Sequence, residues 1–423
     1  MSVLDTRVVA GAATAVRARP NAPSSLTPTR SEQGTFDGQG GAAHADLRDA
    51  AIRGNADAQN RLGMLYGSGK GVQQDWAQAT GWFRQAAEQG HASAQFNLGV
   101  VYGNGQGVPR DLQQALTWYR KAAHQGHAKA QFNLGLMFGN GQGGAQDLQQ
   151  ARSWYSSAAE QGHAGAQNNL GLLFVNGHGV ARDPQEALVW FRKAAEQGDA
   201  AAQNNLGMVH ANRNDAPQDL DMALFWYRKA AEQGYANAQF NLAVLLENGR
   251  GTLPDPARAL DWYRSAAVQN HVRAQFSLGR MLEHGWGDAA DPNEALSWYR
   301  QAADAGHAGA QFHLGLRYDS GHGVLQDQAI ALDWYRRAAE GGHARAQFNL
   351  GLMYLVGHGT ARDLVQAYKW LYLAEVADAG TDLGDKPQRQ RLHAEAAMDA
   401  AALQEARSLA QQWLARHGKA GSP

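Results

Sequence analysis

The feature that most constrains this chain is a fixed period. Ala-Gln begins at residues 58, 94, 130, 166, 202, 238, 274, 310 and 346, an interval of 36 residues each time. A tryptophan keeps the same interval from Trp82 to Trp370, and an aspartate does so from Asp75 to Asp363. Self-similarity at this period marks an array in which one unit cannot bury its apolar face alone and stacking supplies the core. Nine units cover about residues 55–378 of the 423. A single globular core, which a chain this long rarely builds, is therefore not required.

Within a unit the apolar spacing is helical. Ala130, Leu134 and Phe138 recur at i, i+4 and i+8, which places them on one face of a first helix, A. Leu112, Ala115, Leu116, Tyr119, Ala122 and Ala123 form the stripe of a second helix, B. The Asp row sits where B must begin, suited to accept first-turn N–H groups. Gln78, Gln150, Glu186 and Glu294 follow their aspartates by three residues, as in a capping box, and Pro184, Pro256 and Pro292 take the first helical position. Glycines from Gly90 to Gly342 close B, with Asn270 standing in once. A second glycine row, including Gly63, Gly99, Gly135 and Gly279, lies inside helix A, where each costs about 0.5–1 kcal/mol relative to Ala. The same row holds Ala243, so only small residues occur there, and A and B are expected to cross at this point.

The pattern A-x-A-Q-x-x-L-G-x-x-Y, then G-x-G-V, then D-x-x-x-A-x-x-W-Y-R-K-A-A-E-Q-G resembles the Sel1-like repeat family, relatives of the tetratricopeptide repeats. The resemblance spans about three quarters of the chain. It implies an all-α, right-handed α-solenoid of about nine helix-turn-helix repeats, with the A helices lining a concave groove. Residues 1–41 are expected to form a disordered tail, 42–54 a capping helix, 379–416 capping helices behind the repeats, and 417–423 a flexible tail.

Several motifs invite chemistry and fail on context. Gly139–Gly144, GNGQGG, fits G-x-G-x-x-G, but a dinucleotide fingerprint needs a strand before it, and a helix precedes it here. It is read as a helix-to-helix turn. Lys70 follows Gly69 but no Ser or Thr follows Lys70, so there is no P-loop. The row His91, His127, His163, His271, His307 and His343 is read as serving the linkers rather than a metal. No serine has a lysine three residues later, which removes the serine β-lactamase signature, and cysteine is absent. No cofactor, metal or catalytic residue is expected. A net charge of −1 argues against a nucleic-acid binder. The apolar run Val8–Val16 is too short to span a bilayer. A cytoplasmic location is expected, with export behind a signal peptide as the alternative.

The candidate binding residues lie on helix A. Asp57 and its copies Ser93, Lys129, Gly165, Ala201, Asn237, Arg273, Gly309 and Arg345 vary freely, as a partner-facing row would. Phe96, Phe132, Phe240, Phe276, Phe312 and Phe348 form a neighbouring row, interrupted by Asn60, Asn168 and Asn204. Asn97, Asn133, Asn169, Asn205, Asn241 and Asn349 run beside it. Some peptide-binding tetratricopeptide proteins hold their ligand with asparagines at the matching place, since an amide both donates and accepts; exposed Phe would add apolar anchors. The expected function is a non-enzymatic adaptor or scaffold that binds a protein or extended peptide. The alternatives are an exported envelope protein with β-lactam- or wall-related activity, as linked with cysteine-rich relatives, and a structural spacer in a larger assembly. Oligomeric state is not legible.

Overall fold

The computed structural model describes residues 40–211, 219–377 and 383–417. Every regular element among them is an α-helix. Helix α1 (Gly40–Ile52) precedes the repeats. The repeats are α2 (Ala56–Ser68) with α3 (Trp76–Glu88), α4 (Ala92–Asn104) with α5 (Leu112–His124), and α6 (Ala128–Asn140) with α7 (Leu148–Glu160). Next come α8 (Ala164–Asn176) with α9 (Pro184–Glu196), α10 (Ala200–Ala211) with α11 (Leu220–Glu232), and α12 (Ala236–Asn248) with α13 (Pro256–Ala267). The last three are α14 (Val272–His284) with α15 (Pro292–Asp304), α16 (Ala308–Ser320) with α17 (Gln328–Glu340), and α18 (Ala344–Val356) with α19 (Leu364–Val376). Helices α20 (Lys386–Ala396) and α21 (Ala400–His417) follow. The chain divides into two compact units, one ending at Val209 and one beginning at His210. The apolar run Val8–Val16 and residues 1–39 of the tail expected at 1–41 lie outside the described residues, as do residues 418–423 of the tail expected at 417–423; Gly40 and Gly41 belong to α1 rather than to the tail.

The helix ends follow the sequence. Each B helix is capped by its aspartate; Asp111 Oδ1 accepts the N–H groups of Gln113 (2.9 Å) and Gln114 (3.0 Å). The expected capping box is used differently. Gln150 donates to the Asp147 carboxylate (3.0 Å), while Glu186 and Glu294 accept the indole N–H of Trp190 (2.8 Å) and Trp298 (3.1 Å) one turn on. Asn270 has φ 62°, the left-handed geometry its glycine siblings adopt.

The histidine row has a firmer role than linker. His91, His127, His163, His271, His307 and His343 are N-caps of A helices, their Nδ1 atoms accepting the backbone N–H three residues on at 3.1–3.2 Å. That bond requires the tautomer with Nδ1 unprotonated. Asp199 does the same job for α10, bonding the Ala202 N–H at 2.8 Å.

The inner glycines of helix A meet an aromatic ring of helix B. A Cβ placed on Gly99 would lie 2.6 Å from the Tyr119 ring, and one on Gly63 would lie 2.7 Å from Phe83. No carbon fits at that distance, so the crossing exists because the position lacks a side chain. Around it, Leu62, Leu98, Leu134, Leu170, Leu206, Leu242 and Leu278 are fully buried, together with Tyr263, Tyr299 and Tyr335. The tryptophans one residue before those tyrosines, Trp262, Trp298 and Trp334, are only half-buried, so in these repeats the core residue of the Trp-Tyr pair is the second one.

GNGQGG also proves to be more than a turn. Gly139 belongs to the last turn of α6, Gly141 caps it at φ 65°, and Gly143 has φ 76°. A helix, not a strand, enters it.

Candidate partner-binding face

The phenylalanine, asparagine and histidine rows meet at the junctions between repeats. Five of the six Phe lie flat on the capping histidine of the next repeat: Phe96 on His127 (4.8 Å between ring centres), Phe132 on His163 (4.5 Å), Phe240 on His271 (4.8 Å), Phe276 on His307 (4.5 Å) and Phe312 on His343 (4.5 Å). The exposed anchors expected from sequence are therefore not what this row supplies. Phe96, Phe240 and Phe312 are buried, 6–7% exposed, and Phe132, Phe276 and Phe348 are half-buried. The physical reason is that stacking a ring on the next cap removes apolar surface from water at each junction.

The asparagines are likewise engaged within the scaffold. Asn133 shares a hydrogen bond with the Tyr119 hydroxyl, Asn169 with Tyr155, and Asn349 with Tyr335. Where the tyrosine is replaced by Phe83 or Phe191, which have no hydroxyl, the asparagine turns to another amide. Asn97 donates to Asn60 (2.9 Å) and Asn205 donates to Asn168 (2.8 Å). The interruptions of the Phe row at 60 and 168 thus compensate for the loss of a tyrosine hydroxyl. Asn97 and Asn133 are buried; Asn169, Asn205, Asn241 and Asn349 are half-buried. Free amides awaiting a ligand are not present at the five whose partners are named.

Two polar systems escaped the sequence reading. The first is the glutamine of the Ala-Gln clock. Buried Gln95 donates to the Ala87 carbonyl (3.1 Å) and accepts from Gln125 (2.7 Å); Gln59, Gln131, Gln167 and Gln239 repeat both bonds. Its signal, an invariant polar residue within an apolar helix, was in plain view and served only as a register mark.

The second system occurs only in the unit beginning at His210. The A-helix position held by Gly67, Gly103 and Gly139 becomes Glu247, Glu283 and Asp319. Glu247 accepts the Tyr263 hydroxyl (2.6 Å) and pairs with Arg280 (2.5 Å). Glu283 accepts the Tyr299 hydroxyl (2.7 Å) and pairs with buried Arg317 (2.7 Å), with His313 at 3.9 Å. Asp319 accepts from Tyr335 (3.2 Å). Partial burial works against the Glu283 charge, but the Tyr299 hydroxyl and Arg317 outweigh it and hold its pKa below the usual value. Burial pushes the Tyr263 and Tyr299 hydroxyls up, so both stay protonated donors.

With the junctions accounted for, the comparisons with known proteins are decisive. Nine consecutive segments, from 56–91 to 344–375, match the Sel1 repeat. The chain belongs to the Sel1 repeat family. Among solved structures it is similar to a protective antigen present in uropathogenic Escherichia coli strains that displays an SLR fold, at 34% identity over 90% of each chain with a TM-score of 0.55. It is also similar to a Sel1 repeat protein from Oxalobacter formigenes, at 36% identity over 73% of this chain and 88% of that one, with a TM-score of 0.55. A comparison with curated proteins gives no match. Sel1 repeat proteins are generally non-catalytic protein-interaction scaffolds. Among the described residues no helix is long and apolar enough to cross a membrane.

Proposed function

We propose that this Sel1 repeat protein is an adaptor that binds a protein or extended peptide along the face formed by its A helices. One observation carries the reading. All nine copies of the repeat agree at two residues that build junctions, the Gln of the clock and the buried Leu, and most agree at the His cap and at the aromatic under the inner glycine. They differ most freely at the A-helix row Asp57, Ser93, Lys129, Gly165, Ala201, Asn237, Arg273, Gly309 and Arg345, of which none is buried. A scaffold kept constant beneath a varied row that reaches solvent is how a repeat array presents a distinct surface to a partner. Fold alone does not assign a function, so the row, and not the solenoid, supports the reading.

Site-specific photo-crosslinking in living cells tests it. A benzophenone side chain at Ser93 or Asn237 is expected to trap a discrete partner, and the same group at exposed helix-B positions Arg84 and Arg228 is not. Equal trapping from both sets would remove the A-helix face from consideration.

A further inference from the structure

The Phe row is not uniformly covered, and the difference follows the variable row. Buried Phe96, Phe240 and Phe312 are each followed in the next repeat by a long basic residue: Lys129, Arg273 and Arg345. The guanidinium of Arg273 lies over the Phe240 ring at 4.7 Å. Half-buried Phe132 and Phe276 are each followed instead by glycine, Gly165 and Gly309. A Cβ on Gly165 would lie 3.3 Å from Phe132 Cζ, and one on Gly309 the same distance from Phe276 Cζ. Both glycines therefore sit at the ring edge, where any longer side chain would cover it.

Each uncovered ring also has a cation beside it. Lys129 and Arg273 precede Phe132 and Phe276 by three residues, the spacing that puts two side chains on one helix face. Neither has a carboxylate partner among the described residues, where acidic side chains pair with Arg280, Arg317, Arg391 and others. The same three-part arrangement thus occurs twice, once in each compact unit: cation, half-buried Phe, and the segment His-Ala-Gly at 163–165 and 307–309.

We propose that Lys129–Phe132–Gly165 and Arg273–Phe276–Gly309 are two equivalent footholds for a peptide that carries an acidic residue beside a large apolar one. This rests on the peptide-binding reading above and names the chemistry of its ligand. The carboxylate meets the lysine or arginine, and the apolar side chain completes the burial of the Phe edge that the glycine leaves open. The capping histidines that face each site are His127 and His163 in one, and His271 and His307 in the other. Burial and the adjacent cations hold their pKa values down, so near neutral pH they add no competing charge.

A random-peptide phage library selected on the full-length protein tests the proposal, with affinities of the enriched peptides measured by fluorescence anisotropy. The first variant, Gly165→Lys with Gly309→Arg, installs side chains that the chain itself uses in this row. The second, Lys129→Glu with Arg273→Glu, leaves Phe132 and Phe276 open and reverses the charge beside them, and it also lifts the guanidinium from Phe240. Helicity by circular dichroism controls for folding. Enrichment of acidic-apolar peptides, with binding weakened at least about tenfold in both variants, is the expected result. Acidic-apolar peptides that bind the glycine variant as well as the original overturn the footholds and leave the A-helix face standing. A protein that selects no peptide at all overturns the footholds and the peptide-binding reading together.

Discussion

The two compact units solve one problem in two ways. The first eight repeats bury an aromatic ring beneath the small inner residue of helix A, and where that ring is a tyrosine its hydroxyl needs a partner. In the unit ending at Val209, Gly103 and Gly139 leave the space beside the hydroxyl empty, and Tyr119 and Tyr155 bond Asn133 and Asn169 of the next repeat. In the unit beginning at His210, that glycine is replaced by Glu247, Glu283 or Asp319, which accepts the hydroxyl within its own repeat. The choice propagates. A half-buried carboxylate wants a cation, and the following repeat supplies Arg280 or Arg317. Arg317 stands where its neighbours in the row have Met281 and Met353. The repeat thus fixes the need for a partner at the hydroxyl, and the local residues decide whether it is met by a neutral amide, by a carboxylate paired with a cation of the next repeat, or, at Tyr335, by Asn349 and Asp319 together.

The largest expected effect comes from breaking such a pair. Arg317→Met leaves the Glu283 carboxylate without its cation, and Glu283→Gln leaves Arg317 buried and unpaired; each should destabilise the second unit by about 3 kcal/mol. Made together they remove both charges while Gln still accepts the Tyr299 hydroxyl, and the double variant should fall within about 1 kcal/mol of the original. Denaturant unfolding of all four proteins forms the cycle. Additive losses would show that the ion pair does not link these two repeats.

Next in size is the inner glycine. Gly99→Ala drives a carbon to 2.6 Å from the Tyr119 ring, whereas in Gly279→Ala the nearest ring atom, on Tyr299, is 2.9 Å away. Overpacking of this kind costs about 1–3 kcal/mol, and the first substitution should cost more than the second. Thermal melts of the two variants rank them. The reverse order would mean that the rings, and not the helix backbones, set the crossing distance.

How much of this was legible depends on whether a row's role is set within a repeat or between repeats. The Asp caps, the Gly and Asn closures and the small inner row were readable because helix ends and close approaches constrain residue type locally. The roles of Phe96, Asn133 and His127 were not. Each acts across a junction, and a single helix cannot say whether a Phe faces water or the imidazole of the next cap. Interruptions at Asn60 and Asn168 looked like noise in the Phe row until Phe83 and Phe191 were seen to lack the hydroxyl that Asn97 and Asn205 would otherwise bond. The change from Gly139 to Glu283 was visible as a charge entering a glycine row, but its partner Arg317 lies 34 residues on, off the 36-residue register by two.

The histidine caps give a pH dependence of about 1 kcal/mol per residue at most, reduced by their partial exposure. Burial lowers the pKa of His127, His271, His307 and His343 from 6.5 to about 4, with nearby cations such as Lys129 and Arg273 adding to it. A depressed folded-state value means that the unfolded chain binds more protons between pH 6.5 and 4. The contribution is therefore complete above pH 6.5 and is lost as pH falls toward 4. Denaturation midpoints should drop across that window. His271→Asn with His307→Asn and His343→Asn keeps caps that cannot protonate and should flatten the drop in the second unit. An unchanged slope in that variant would exclude the caps as its source.

The smallest effect is a gain. In the first unit Gln59, Gln95, Gln131 and Gln167 each accept from a glutamine 30 residues later, as Gln59 does from Gln89 at 2.7 Å. The second unit keeps this partner at Gln239, but residues 305, 341 and 377, which would serve Gln275, Gln311 and Gln347, are Ala, Gly and Ala; Gln347 still donates to the Ala339 carbonyl (3.2 Å), and its Oε1 is buried with no hydrogen bond. Ala377 is the C-cap of α19, the place that Gln89 occupies on α3. Ala377→Gln should let the new amide reach Gln347 and stabilise the second unit by about 0.5–1.5 kcal/mol, the worth of one satisfied buried acceptor. The same substitution made with Gln347→Leu has no acceptor to satisfy and should gain nothing. A gain that survives Gln347→Leu would come from helix α19 itself and would separate the glutamine ladder from the stability of the last repeat.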